Sequence, residues 1–455
     1  MTKQEYLCYY CKKEIECGCY DAKIDGISTY TLVRRRIRAK VLEVNGYFVM
    51  PNKFTVNKRF VLGSLMVSAW HLIKLVCNSR HYSTVFCAFP RIDKIQGAFL
   101  DKFTDPLIIQ GGLKDNYIIL DHGLAGVHAK PRLNDDRLIY CEILQVISFL
   151  YTNLFIGRFK ARHKEVLNQM LDAVEKASEI KIDRSFYYKE VMRSYTSCKL
   201  YEWLLRKIKA QKVIGVARPF TLFIAAHKVG AKVLETQHGI TYSETLPYSG
   251  YRDPLIVPDY FLAFGNNRPL DVYGIDESRI VNIGWALQEY IDNLPLLNRY
   301  GTKDILVISD PGKTDDILAA VTELAQAYLE STFYFRPHPH EKISDKHRSL
   351  MESLGNVRIQ DNSINITEVM SGFNYVIGES STVLYEALSA GKRVGKLFMG
   401  TLAPAYLDMA DADYFWEIRT ISDFEAFLNE NPSTKKQRNI FSPFNSQLFN
   451  QILEE

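Results

Sequence analysis

The sequence is short of the features that would assign it quickly. It has no low-complexity tract, and 47% of its residues are hydrophobic against 24% charged, which excludes a disordered chain. Its formal net charge is only +4, and it carries no recognised nucleic-acid motif, so nucleic acid is not an expected partner. The first residues, MTKQEYLCYY, lack the basic-then-apolar order of a secretory leader. No apolar run is both long and free of charge. Residues 60–77 carry His71 and Lys74, which makes them a poor spanning helix and a better buried or interfacial one. Residues 142–157 are similar. The expectation is a cytoplasmic protein, with the inner face of the membrane as a peripheral partner. At 455 residues the chain has room for two or three domains with sizeable cores.

What is present begins with two local concentrations. Four of the eight cysteines, Cys8, Cys11, Cys17 and Cys19, crowd the start. Cys8 and Cys11 have a spacing common in zinc sites, but Cys17 and Cys19 are separated by a single residue and the loop between the pairs is short. A reduced structural cluster is the expectation and zinc the alternative. Cys77, Cys87, Cys141 and Cys198 read as small core residues. The run LVRRRIRAK gathers Arg34, Arg35, Arg36, Arg38 and Lys40. Such a run is either a solvated face or a patch for anionic lipid or an anionic acceptor.

From residue 212 onward, short apolar runs alternate with helical patterns, as in a parallel sheet. KVIGVA (212–217), KVLETQ (232–237), DYFLAFG (259–265) and IVNIG (280–284) read as strands. Residues 293–304 are polar and turn-rich, a linker. The rhythm then restarts, with strands at 305–309, 332–337, 357–360, 375–378 and 393–398. Nearer the start, TVFCAFP (84–90) and NYIILDHG (116–123) read as buried strands, and 150–210 as mostly helical. The expected architecture is α/β: two Rossmann-like, doubly wound domains facing each other across a cleft. They span 1–295 and 303–436, with a tail, 437–455, that packs back on the N-terminal domain.

Ligands of open parallel sheets sit beyond the carboxyl ends of the strands. Those ends carry polar sets here: Arg218, Gln237-His238-Gly239, Ser309-Asp310-Pro311-Gly312, the group Arg336, His338 and His340, and GESST (378–382). Gly378 frees a turn, and Ser380, Ser381 and Thr382 then stand at a helix N-terminus, where unpaired N–H groups and the helix dipole favour an anion. Simple capping is the plainer reading. Glu386 lies four residues after Thr382, on the same helix face, so its carboxylate can accept ribose hydroxyls. Arg336 and His338 would complete a phosphate site from the next strand end, with Pro337 and Pro339 restricting the backbone. A metal at His338 and His340 lacks a carboxylate or cysteine partner and is not expected.

These residues resemble the GT-B glycosyltransferases of bacterial surface polysaccharide synthesis. YEALSAGKRV (385–394) looks like their nucleotide-sugar helix, in which a glutamate binds ribose. RPHP (336–339) and ESST (379–382) are similar to motifs of bacterial sialyl-, polysialyl- and Kdo-transferases, where they bind the CMP part of the donor. ETQHGI (235–240) with RPHP also looks like the CDP-glycerol glycerophosphotransferases of teichoic-acid synthesis, in which the first histidine acts in catalysis and the second contacts donor phosphate. The resemblance covers roughly 212–400. It implies a GT-B fold, a nucleotide-sugar donor (CMP-linked Kdo or sialic acid favoured, UDP- or GDP-sugars as options), a glycan or lipid-linked glycan acceptor, and no divalent metal.

The catalytic side is expected from the N-terminal domain. His238 is the first candidate, a strand-end imidazole able to take an acceptor's proton, followed by a glycine that allows close approach. Asp121 and His122 in ILDHG are the second, as base and orienter; Glu244 and Asp93 are weaker. No DxD motif follows a strand, and helix dipoles with basic residues can stabilise the leaving phosphate instead. The alternatives to a glycosyltransferase are a CDP-glycerol-type glycerophosphotransferase, a non-hydrolysing sugar-nucleotide 2-epimerase, and a non-enzymatic nucleotide- or glycan-binding protein.

Overall fold

A computed structural model describes residues 3–47, 58–77, 80–90, 92–95, 97–123, 127–240, 248–265, 274–293, 300–310, 312–339, 341–402, 414–430 and 440–455. Two parallel sheets organise it. The first contains β1 (Thr84–Cys87), β2 (Tyr117–Asp121), β3 (Leu138–Tyr140), β4 (Lys212–Val216), β5 (Lys232–Thr236), β6 (Tyr260–Ala263) and β7 (Ile280–Asn282), in spatial order 3-2-1-4-5-6-7. The second contains β8 (Ile305–Ile308), β9 (Phe333–Arg336), β10 (Val357–Ile359), β11 (Tyr375–Gly378), β12 (Arg393–Leu397) and β13 (Trp416–Ile418), in order 10-9-8-11-12-13. Each is the doubly wound arrangement, and each reverses direction at one point, between β1 and β4 in the first sheet and between β8 and β11 in the second.

The strands are continuous apolar runs because helices cover both faces. In the first sheet Val85, Leu120 and Val213 pack under the long helices Glu142–Ser178 and Arg184–Ile208. Phe86, Ile119 and Ile214 face the other way, toward Leu107, Ile108, Phe449 and Ile452. The last two belong to the C-terminal helix Ser446–Glu454, so the chain ends on the first domain. Backbone bonds fix it there: Ser442 N–H to Phe264 O at 2.7 Å and Asn445 N–H to Ile283 O at 2.7 Å.

The two domains share an apolar seam. Leu100, Phe103, Val216, Ile240, Phe264 and Trp285 of the first pack in one cluster with Ile308, Leu384, Tyr385 and Leu388 of the second. Two facing Rossmann-like domains joined at the carboxyl edges of their sheets make the GT-B architecture.

The basic run is split between core and surface: Arg35, Arg36 and Lys40 are exposed. Arg34 and Arg38 are buried on the Arg34–Val44 helix. Arg38 is fully enclosed and makes a two-pronged bond to Glu14, Nε to Oε1 at 2.7 Å and Nη2 to Oε2 at 2.5 Å. Tyr20 and Tyr30 donate their hydroxyls to the same carboxylate. Arg34 donates to Tyr251 O, Arg35 to Ala217 O, and Arg36 pairs with Glu190. Arg34, Arg35, Arg36 and Arg38 are each met by an acceptor from another part of the chain, whereas Lys40 pairs with Glu43 of its own helix. All eight cysteines are free thiols; Cys11 and Cys19 are buried while Cys8 is exposed. Among the described residues no group of three His, Cys, Asp or Glu side chains is placed to hold a metal ion.

Candidate functional site

The reversal of the second sheet brings the ends of β8 and β11 side by side. Ser309 and Asp310 follow β8; Glu379, Ser380 and Ser381 follow β11 and lead into the helix Thr382–Ser389. Gly378 does not act by freeing a turn. It is the last strand residue, and a Cβ there would lie 2.9 Å from Ile308 O and 3.3 Å from Leu384 Cδ2, so glycine is required by close packing of the strand and helix. Ser381 is the N-cap, accepting from Val383 N–H, the plain capping role. Ser380 donates to Asp310 Oδ2 at 3.0 Å. Glu379 is buried, and its Oε1 has no hydrogen-bond partner among the described residues. Burial first, and the Asp310 charge with it, pushes the Glu379 carboxyl above its ordinary value.

Of the two candidates on the next strand end, Arg336 is committed to a neighbouring loop and His338 is tied down through its backbone. Arg336 is buried and donates both terminal nitrogens to carbonyls of the following segment, Asp361 and Ile364. That is a correction to its reading as a phosphate cation: the guanidinium braces the exit of β10. His338 donates its backbone N–H to Glu341 Oε2 at 2.8 Å, and Glu341 also takes hydroxyls from Ser309 and Thr314. The turn is thus tied to the end of β8. His340 and Glu244 lie outside the described residues.

Across the seam the first domain presents His238 and Gly239 directly to the second. Gly239 has φ of 91°, and a Cβ on it would stand 2.7 Å from Thr382 Cγ2, so both its conformation and its approach demand glycine. Gln237, fully buried, braces the turn by donating to Gly239 O and accepting from Phe264 N–H. The His238 ring is half-buried, with Phe89 and Phe103 against it at centroid distances of 5.1 and 5.8 Å. One helical turn past Thr382, Glu386 points to the same side and accepts from Lys102 Nζ of the first domain at 2.8 Å. Lys102 also stands 3.3 Å from Asp93.

Asp121 and His122 are not brought together. Successive strand residues point to opposite faces. His122 turns toward the long helices, where Gln145 and Tyr201 meet its ring at 3.1 and 3.3 Å, and burial pushes its pKa down. Asp121 turns the other way and is occupied at both oxygens, by Arg132 Nη1 at 2.7 Å and His128 Nδ1 at 2.5 Å. Burial raises its pKa, but the bond from His128 and the charge of Arg132 outweigh that and leave it below the ordinary value. Neither residue is arranged as a free general base, which corrects their catalytic reading.

His128 closes this network. Its Nε2 meets Glu142 Oε1 at 2.7 Å, and its ring stacks on Tyr140. Burial works against its charge, but two carboxylates dominate and lift its pKa from 6.5 to about 9. A raised histidine pKa stabilises the fold fully below about 6.5 and loses that contribution as pH rises through about 9. The expected result is a melting temperature that falls between roughly pH 7 and pH 9.5, reflecting a loss of about 3 kcal/mol. His128→Gln should start lower and show a flatter profile; an equal slope in both proteins would remove the network as its source.

Sequence reasoning missed Asp101 and Lys102. Asp101 is fully buried and accepts from the backbone N–H groups of Phe89 and Phe103, at 2.7 and 2.8 Å, and from Thr104 Oγ1 at 2.6 Å. It therefore places both rings that flank His238. Burial, with Asp105 beside it, pushes its carboxyl up to about 7. The available signal was weak: Asp101, Lys102, Thr104 and Asp105 form a polar cluster following the apolar AFL (98–100).

No protein-family model matches the chain, and no curated protein does. Solved structures with a similar course include UDP-GlcNAc 2-epimerase from Methanocaldococcus jannaschii, 13% identical with a TM-score of 0.46 over 82% of this chain and 98% of that one. A second is UDP-GlcNAc 2-epimerase from Neisseria meningitidis bound to UDP-GlcNAc, 14% identical with a TM-score of 0.47 over 82% and 97%. A third is the glycotransferase of kitacinnamycin, 12% identical with a TM-score of 0.42 over 78% and 92%.

Proposed function

We propose that the protein is a metal-independent glycosyltransferase that moves a sugar from a nucleotide donor to a growing bacterial surface glycan. The observation that carries this reading is the meeting of two strand-end sets at one seam. Glu386 and Thr382 of the second domain face Lys102, His238 and Gly239 of the first. In this reading the nucleotide lies at the reversal point of the second sheet, with donors from Ser380, Thr382 and the helix N-terminus. Glu386 takes the ribose hydroxyls; Lys102 occupies its Oε2, so Oε1 is the oxygen that a sugar hydroxyl would reach. Lys102, ion-paired with Glu386 and Asp93, orients the Glu386 carboxylate from across the seam. His238 removes the acceptor's proton. A CMP-sugar is the favoured donor, on the resemblance of RPHP and ESST.

Thermal shift in EDTA against CMP, CDP, UDP and GDP selects the donor class; a ligand at ~100 times its Kd adds roughly 2.7 kcal/mol. Product analysis with and without acceptor then separates the reactions. Conversion of the nucleotide sugar without any acceptor would overturn transfer in favour of 2-epimerisation, and glycerol phosphate in the product would identify the glycerophosphotransferase. Glu386→Gln should weaken nucleotide binding by about 1–3 kcal/mol, the range for a lost charged hydrogen bond. Calorimetry giving an unchanged Kd would take Glu386 out of the site.

A further inference from the structure

The helix Lys58–Cys77 is inverted with respect to its chemistry over its middle turns, before Leu75 enters the core. Its buried face carries Ser64 and Ser68, 7% and 0% exposed, while Met66 is 69% and Trp70 55% exposed. The serines are buried because they are used. Ser68 Oγ donates to Tyr140 O at 2.6 Å and accepts from Ile143 N–H at 3.0 Å, and Ser64 Oγ lies 3.1 Å from His128 Nε2. Leu62, Met66, Trp70 and Ile73, spaced by three or four residues, are left to solvent on the opposite face. The adjoining helix Glu142–Ser178 does the same over its first turns, with Leu150 and Leu154 at 52% and 76% exposed.

Large apolar side chains left outward on two packed helices mark an interaction surface. Its charge identifies the partner. No Asp or Glu occurs in 61–77 or in 143–164. Lys74 lies over the Trp70 ring at 5.1 Å. Arg158 follows Leu154 by one turn, and Arg162 and Lys164 come next, all three exposed. A second copy of the chain would bring like charges together, whereas anionic headgroups would be matched by this collar while acyl chains take the apolar face. Trp70 has the amphipathic ring favoured at the membrane–water boundary. Among the described residues no helix is long and apolar enough to cross a membrane.

We propose that this helix pair docks the first domain on an anionic lipid bilayer. The surface lies beside the carboxyl edge of the first sheet, because Ser64 touches His128, which is bonded to Asp121 at the end of β2. A lipid-linked acceptor held there would rise from the membrane on the side where β2 ends. The proposal places the membrane contact on the interfacial segment 60–77 and the helix beside it rather than on the Arg34–Lys40 run, and it does not depend on which reaction the seam performs.

The test is vesicle flotation of the full chain. It should float with phosphatidylcholine vesicles containing phosphatidylglycerol and not with phosphatidylcholine alone. Trp70→Ser with Leu154→Ser should abolish flotation. Arg158→Ser with Arg162→Ser should lower partitioning by about thirtyfold, from roughly two lost lipid contacts. All four side chains are exposed or half-solvated, so the melting temperature should not move. The proposal is overturned if the wild type stays unbound with both vesicles, or if it floats and the apolar double variant floats equally. It is also overturned if sedimentation shows a dimer that the apolar variant dissolves while vesicles remain unbound.

Discussion

Replacing His238 with Ala should lower kcat by about 10²- to 10⁴-fold, the range contributed by a positioned general base, with nucleotide affinity nearly unchanged. Three features argue for so large an effect. His238 follows β5 and sits where the two domains touch, next to Thr382 across Gly239. Its orientation is fixed by Phe89 and Phe103, which Asp101 in turn holds through their backbone N–H groups. Gln237 clamps the turn from behind. Since the ring packs against aromatics, His238→Gln serves as a second variant that keeps most of the volume. If both variants retain a kcat within about threefold of wild type while folding normally, the proton acceptor lies elsewhere.

Arg38→Met should cost the fold about 3–5 kcal/mol, the usual penalty for removing one partner of a buried ion pair. Glu14 would be left fully enclosed with two tyrosine hydroxyls and no counter-charge, and the Ser249 carbonyl and hydroxyl would each lose a donor. The double change Arg38→Met with Glu14→Leu should be less damaging than the single one, because no charge then remains in the core. Denaturant unfolding measures both. A double variant that is less stable than the single would show that the tyrosine hydroxyls, rather than the carboxylate, dominate the loss.

Much of the sheet framework could be read from runs of apolar residues. The strands around Val85, Ile119, Ile214, Leu234, Leu306, Phe335 and Ile377 are buried on both faces, so their sequences are continuous and bounded by turns. Leu138–Tyr140 and Trp416–Ile418 were harder to see. They are sheet-edge strands of three residues, as are Ile280–Asn282 and Val357–Ile359, but they lie outside 212–398, where strand and helix patterns alternate regularly. The site was legible only in its strand ends. Lys102 and Glu386 are 284 positions apart, and nothing local marks one as the other's partner. The Asp121–His122 pair failed for a reason the sequence did contain: adjacent residues at a strand end face opposite ways. The basic run was legible only in part: charge density does not reveal that acceptors such as Glu14 and Tyr251 O will draw Arg38 and Arg34 inward while Arg35, Arg36 and Lys40 stay exposed.

Because the final helix packs on the first domain, the core of that domain is completed only by the last residues of the chain. Phe449 and Ile452 cover the face of the first sheet that Phe86, Ile119 and Ile214 present. The first domain is therefore discontinuous in sequence, and a chain cut after residue 430 would leave that apolar face open to water.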